Sequence, residues 1–163
     1  GYILGKYDLW SRYEPEQRGV VIAYASVYGG TENAANILAC RLREQGVQVE
    51  MFDTSVTPAS YILAAAFRFS HVVLAAPTYN AGMFVNMENL VHDIVNHNLQ
   101  NRTIALIENG SWAPTSARGM QKLLEPLNWE TAADTVTLRS ALRQGQQEDL
   151  ERMAAQLAES VKA

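Results

Sequence analysis

The stretch Val20-Val21-Ile22-Ala23-Tyr24-Ala25-Ser26-Val27-Tyr28-Gly29-Gly30-Thr31 organises the rest of the chain. Its first half is a run of small and β-branched apolar residues, which packs well on a pleated surface. It stops at Ser26, and an amphipathic helical pattern begins directly after Thr31, so the segment reads as strand, loop and helix. Hydroxyls at Ser26, Tyr28 and Thr31 can donate to phosphate oxygens. Gly29 and Gly30 let the backbone approach closely, and the N–H groups of the helix start point the same way. No Lys or Arg lies between Arg18 and Arg41. A Walker loop ends in Gly-Lys-Ser/Thr and a dinucleotide loop carries Gly-x-Gly-x-x-Gly, and neither pattern is present. The stretch suits one terminal phosphate, as in a mononucleotide such as FMN. Thr31-Glu32 can equally serve as a plain helix cap, and the glycines as a tight turn.

Outward from this stretch, 163 residues with 48% hydrophobic and 18% charged composition suffice for one domain with a sizeable core. A net charge of -4 argues against nucleic acid, whose binding surfaces are rich in Lys and Arg. Cys40 is the only cysteine, so no internal disulfide or CxxC centre exists. A reduced, cytoplasmic setting is the expectation, with Cys40 as a buried helix residue. Apolar runs are strand-sized and no charged segment precedes an apolar one at the start, so neither a membrane span nor a signal peptide is expected. The chain begins at Gly1 within what reads as a continuing segment, as a fragment or processed product would.

Residues 1–18 form an aromatic and charged lead-in, and Pro15 and Gly19 mark the start of the domain proper, 19–163. After Thr31, Ala34, Ala35, Ile37, Leu38 and Leu42 fall at helical spacing, with Gly46 as C-cap. Val47 to Phe52 alternates as a strand, and Thr57-Pro58 opens a helix carrying Tyr61, Ile62, Ala65 and Phe67. His71 to Ala76 is apolar on both faces, the mark of a central parallel strand. A helix over Phe84 to Asn98 precedes a strand over Thr103 to Ile107. A helix from Thr115 to Glu125 stops at Pro126, a fifth strand lies within Thr131 to Leu138, and the last helix spans Gln144 to Val161. Five strands alternating with helices imply an α/β fold with a doubly wound parallel sheet.

The hydroxyl-rich loop after the first strand resembles the phosphate loop of flavodoxins. Pro77-Thr78-Tyr79-Asn80-Ala81-Gly82-Met83-Phe84 and the Met87-Glu88-Asn89 after it closely resemble the flavin loop of the flavodoxin-like domain in flavodiiron proteins, the A-type flavoproteins. The similarity runs from about Tyr7 to the C-terminus. It implies strand order 2-1-3-4-5, FMN as cofactor, and a lead-in corresponding to the segment that joins a metal domain to the flavodoxin domain. The alternative for the lead-in is a segment that simply packs on the sheet.

Ligands of such sheets bind at the carboxyl ends of strands near the switch point. Three unusual stretches stand there: Ser26 to Thr31, Pro77 to Gly82, and Glu108-Asn109-Gly110-Ser111-Trp112-Ala113. In roles, Ser26, Val27, Tyr28, Gly29, Gly30 and Thr31 would hold the phosphate. Pro77, Thr78, Tyr79, Asn80, Ala81 and Gly82 would pass along the flavin edge, and Trp112 would cover a ring face. Tyr79 can equally be a core tyrosine. The third stretch departs from the Gly-Ser-Tyr-Gly-Trp pattern common in flavodiiron proteins but keeps the Trp.

His71, His92 and His97 lack the spacing of a ligand set, so no metal site is expected. No nucleophile, base and orienting group can be read either, and the chemistry would be the cofactor's. The resemblance implies an electron-transfer domain fed by rubredoxin or a flavin reductase. It would relay electrons to a diiron domain, contributed by the other subunit of a homodimer, that reduces dioxygen or nitric oxide. A free-standing flavodoxin and a cofactor-free binding module of the same fold are the alternatives.

Overall fold

The computed structural model describes residues 14–25, 30–79, 82–83, 85–109, 116–138 and 144–163. Its elements in chain order are strands β1 (Gln17–Tyr24), β2 (Val49–Asp53), β3 (Phe69–Tyr79), β4 (Gly82–Met83), β5 (Thr103–Asn109), β6 (Glu130–Thr131) and β7 (Val136–Leu138). The helices are α1 (Gly30–Glu44), α2 (Ala59–Arg68), α3 (Val85–Asn96), α4 (Ser116–Leu124) and α5 (Gln144–Lys162), with a 3-10 turn at Glu125–Leu127.

The sheet runs β2-β1-β3-β5-β6, all parallel, with β7 also on β5. Counting β6 and β7 as one interrupted strand gives the doubly wound order inferred from the sequence. Both faces are covered, as the apolar run of β3 requires. Val72, Leu74 and Ala76 pack with Ile62 of α2, Leu90 and Ile94 of α3 and Met120 of α4. Val73 and Ala75 face the other way, onto Leu38 and Leu42 of α1 and Leu150, Met153 and Leu157 of α5. The period of two in the strand thus divides the core into two layers.

Where β1 and β3 start, a polar network closes the layers. Arg18 donates from Nε to the Val161 carbonyl at 2.7 Å and from its terminal nitrogen to that of Ser160 at 2.9 Å, capping the orphan carbonyls of α5. His71 lies between the hydroxyls of Ser70, 2.7 Å from Nδ1, and Ser160, 2.8 Å from Nε2. Arg102 is likewise buried, and its guanidinium donates to the carbonyls of Ala66 and Phe67 in the last turn of α2. Burial lowers its pKa to about 10, so it stays charged at neutral pH.

Several boundaries differ from the sequence reading. β1 begins at Gln17, two residues before Gly19, because Gln17 pairs with Phe69 and the Glu16 N–H donates to the Arg68 carbonyl. β5 extends past Ile107 to Asn109 through the pairing of Pro77 with Asn109, and β3 continues past Pro77 to Tyr79 because Thr78 and Tyr79 pair with β4. Cys40 is exposed rather than buried. Leu38, Ala39 and Leu42 take the inward positions of that turn, and Cys40 falls on the opposite face of the helix. Gly46 does close α1, at φ +79°. The lead-in up to residue 13 lies outside the described residues.

Candidate functional site

The carboxyl ends of β1, β3 and β5 lie side by side. Tyr24 is in register with Ala75, Ala75 with Ile107, and Pro77 with Asn109. The Ala25 N–H donates to the Ala75 carbonyl at 2.9 Å, so β1 stays bound to β3 up to its exit. The chain re-enters at Gly30, the first residue of α1. Thr31, only 1% exposed, falls inside the first turn of the helix. A Cβ on Gly30 would stand 3.0 Å from Asn109 Nδ2, so a side-chain amide of the third stretch reaches the helix start of the first. Close approach, rather than backbone strain, is what calls for glycine here.

The second stretch is in part a hairpin. Thr78 pairs with Met83 and Tyr79 with Gly82, antiparallel, so β4 runs back along the end of β3. Asn80, Ala81, residues 26–29 and residues 110–113, including Trp112, lie outside the described residues. The structure therefore brings together Gly30, Thr31, Pro77, Thr78, Tyr79, Gly82, Glu108 and Asn109 at one edge of the sheet.

Glu108, which the sequence places at the start of a loop, stands in β5 with both carboxylate oxygens hydrogen-bonded. It accepts from the Ala117 N–H at 3.2 Å and from the Thr137 hydroxyl at 2.8 Å. Those bonds satisfy a free donor in the first turn of α4 and tie β7 to β5. Ser116 adds a bond from its hydroxyl to the Ala76 carbonyl at 3.0 Å. Glu108 and Ser116, on either side of residues 110–115, are thus tied to β7 and β3.

The electrostatics are mildly acidic. Tyr24, the last residue of β1, is in register with Asp53, and its hydroxyl donates to Glu32 in the first turn of α1. Burial, then the charges of Glu32 and Asp53 and that hydrogen bond, raise the phenol pKa above its usual 10.0. This pairing was not read from the sequence, since strand β1 and helix α1 must first be packed to bring the two side chains together. Among the described residues, the groups that face an anion here are backbone N–H groups and the neutral Asn109 amide. The arrangement fits a phosphate: a 15-residue helix presents its N-terminus, a glycine leaves the space, and an Asn amide converges on it.

Among the described residues no group of three or more His, Cys, Asp or Glu could hold a metal ion. His71 lies toward the start of β3, away from the site, paired with Val20 and Thr103. Among the described residues no helix is long and apolar enough to cross a membrane.

The family model described as "Flavodoxin domain" matches residues 21–161. The rubredoxin-oxygen oxidoreductase of Megalodesulfovibrio gigas is 24% identical over 99% of this chain and 40% of its own length. The solved structure of the Desulfovibrio gigas rubredoxin oxygen:oxidoreductase superposes with a TM-score of 0.92 at 23% identity, over 99% of this chain and 40% of that one. A flavodoxin from Streptococcus pneumoniae TIGR4 superposes with a TM-score of 0.75 at 23% identity, over 86% of this chain and 98% of its own. The chain spans 40% or less of the length of the curated relatives it matches. With nearly every residue from β1 to α5 inside the matched region, this chain belongs to the flavodoxin domain family.

Proposed function

We propose that this chain is the FMN-binding electron-transfer domain of a flavodiiron protein. The observation that carries the reading is coverage. Similarity to the rubredoxin-oxygen oxidoreductase extends over 99% of the chain, lead-in included, at a TM-score of 0.92, whereas the flavodoxins cover 86 to 89% at 0.71 to 0.77. Residues 1–18 then lead in from an upstream metal domain, and 19–163 are the flavin domain.

The phosphate would be held by the N-terminal N–H groups of α1, the Thr31 hydroxyl and the loop over residues 26–29. The Asn109 amide would stand on the side of α1 that faces the third stretch. Thr78, Tyr79 and Gly82 would offer backbone along the ring edge, with Asn80 and Ala81 at the turn and Gly110, Ser111, Trp112 and Ala113 across from it. When bound, FMN supplies the one- and two-electron chemistry, and the side chains hold and shield it. In the parent protein, electrons would arrive from rubredoxin or a flavin reductase and leave for a diiron site on a separate domain, supplied by the other subunit of a homodimer. That site would reduce dioxygen or nitric oxide. Cytoplasmic residence belongs to the same reading, supported by Cys40 as the only cysteine of the chain.

A free-standing flavodoxin carrier is the second reading, favoured by alignment over 97 to 99% of the flavodoxins' own length. Both readings require that the chain, loaded with FMN, accept electrons. Neither allows it to sustain rapid four-electron reduction of dioxygen to water, since the described residues hold no metal ligand set. Oxygen consumption by the FMN-loaded chain with excess reductase is expected to be slow and to yield superoxide or peroxide. Rapid iron-dependent turnover to water would overturn both. Electron delivery to a separately prepared diiron domain of the parent protein, faster than to unrelated acceptors, distinguishes the first from the second.

A further inference from the structure

The end of β5 that carries Asn109 is held from both sides. Asn109 is in register with Pro77 of β3 and with Leu138 of β7, and the Glu108 carboxylate beside it takes the Ala117 N–H and the Thr137 hydroxyl. A side chain carried by a strand fixed in this way is placed more precisely than one on a loop. Asn109 is half-buried, and among the described residues no group hydrogen-bonds to its amide.

That amide stands where Gly30 has no side chain. A Cβ on residue 30 would meet Asn109 Nδ2 at 3.0 Å, close enough that the amide would have to move aside by a few tenths of an ångström. The glycine serves no left-handed turn, since among the described glycines Gly46 is the one with positive φ. Nor does α1 gain from it, because glycine is a poor helix former. What the missing Cβ provides is room for an uncharged donor from another strand at the first residue of a 15-residue helix. No cation competes for this role within the first stretch: no Lys or Arg lies between Arg18 and Arg41, and Glu32 stands in the first turn of α1.

Resting on the FMN reading above, we infer that Asn109 is a specificity-determining residue of this site. Its amide donates to an oxygen of the flavin's phosphate monoester at the start of α1, and Gly30 is glycine so that the amide can stand there. The choice between a phosphorylated flavin and its unphosphorylated form then depends on a residue of β5 as well as on the loop and helix that follow β1. A carboxylate in place of the amide would itself satisfy the helix N-terminus and repel the phosphate.

The test is a titration of the flavin-free chain with FMN and with riboflavin, followed by quenching of flavin fluorescence. It compares the parent, Asn109→Ala, Asn109→Asp, Gly30→Ala and the double variant of Gly30→Ala with Asn109→Ala, with the Tm of each flavin-free chain measured alongside. Asn109→Ala should weaken FMN roughly ten- to hundredfold, as loss of one hydrogen bond to a charged group does, and leave riboflavin where it is. Asn109→Asp should weaken FMN further without lowering the Tm of the flavin-free chain, since an acid near a helix N-terminus is favourable. Gly30→Ala should weaken FMN in the parent and add no loss once Asn109 is replaced by Ala, because the two residues act through one contact. Equal losses for FMN and riboflavin, an Asn109→Asp chain that binds FMN as the parent does, or a Gly30→Ala loss that persists in the double variant would overturn this inference alone. A parent that binds neither flavin would overturn the FMN reading and the inference with it.

Discussion

Acid is expected to weaken this fold through His71. The ring is 1% exposed and lies between the Ser70 and Ser160 hydroxyls, close to the Arg18 guanidinium that caps α5. Burial first, and the Arg18 charge second, push its pKa down from 6.5 to about 4. The unfolded chain therefore takes up this proton below pH 6.5, while the native chain refuses it until about pH 4. Stability from this group is present in full above pH 6.5 and is lost as pH falls to 4, since the unfolded state binds the extra proton. About 2.5 units at 1.36 kcal/mol each amounts to roughly 3 kcal/mol, a large share of the total stability of a domain. Urea unfolding of the parent and of His71→Asn at intervals from pH 7 to 4 would measure it, the comparison cancelling the carboxylates common to both. The parent should lose about 3 kcal/mol more than the variant, and the His71 ring resonances should not move between pH 8 and 5. Parallel stability curves, or a ring that titrates near pH 6.5, would refute the reasoning.

Thr31→Val should weaken FMN far more than riboflavin, because the hydroxyl would meet only the phosphate. Loss of one such bond is worth about 1.5 to 3 kcal/mol, roughly ten- to hundredfold in Kd, and fluorescence titration with the two ligands would show equal losses if Thr31 does not face the phosphate. Gly19→Ala should destabilise by about 1 to 3 kcal/mol, as overpacked sites do. Its Cβ would stand 2.8 Å from Phe69 Cδ1 and 2.9 Å from the Gln48 carbonyl oxygen, which is backbone held by the Val20 N–H. Denaturation midpoints equal to the parent's would show that β1 and β2 have room to shift.

The fold was legible where one strand or helix carries its own signal. Val72 to Ala76 is apolar on both faces and is indeed central, and the run from Ala34 to Leu42 shows its inward face by spacing alone. What remained hidden depends on neighbours distant in sequence. Pro77 reads as a breaker, yet it ends no strand, because proline φ is compatible with extended chain and Asn109 pairs beside it. Glu108 reads as a loop residue, but donors 9 and 29 residues away draw its carboxylate into the frame of α4 and β7. The fifth strand is split because only Glu130–Thr131 and Val136–Leu138 reach β5. Cys40 misled because its composition suggests burial while its helical position faces outward. At the site, the sequence marked Gly30, Thr31 and Asn109 one by one, but only the packed sheet shows the Asn109 amide against the start of α1.

The central claim is that the edge formed by β1, β3 and β5 binds one FMN through its single phosphate. The direct measurement is a titration of the flavin-free chain with FMN, FAD and riboflavin, followed by quenching of flavin fluorescence and checked by chromatography of the cofactor released from purified protein. One equivalent of FMN should bind tightly, riboflavin more weakly by the worth of the phosphate contacts, and FAD least, since the described residues form one phosphate cradle, at the start of α1. Equal affinity for FMN and riboflavin, recovery of FAD, or no binding of any flavin would contradict the account.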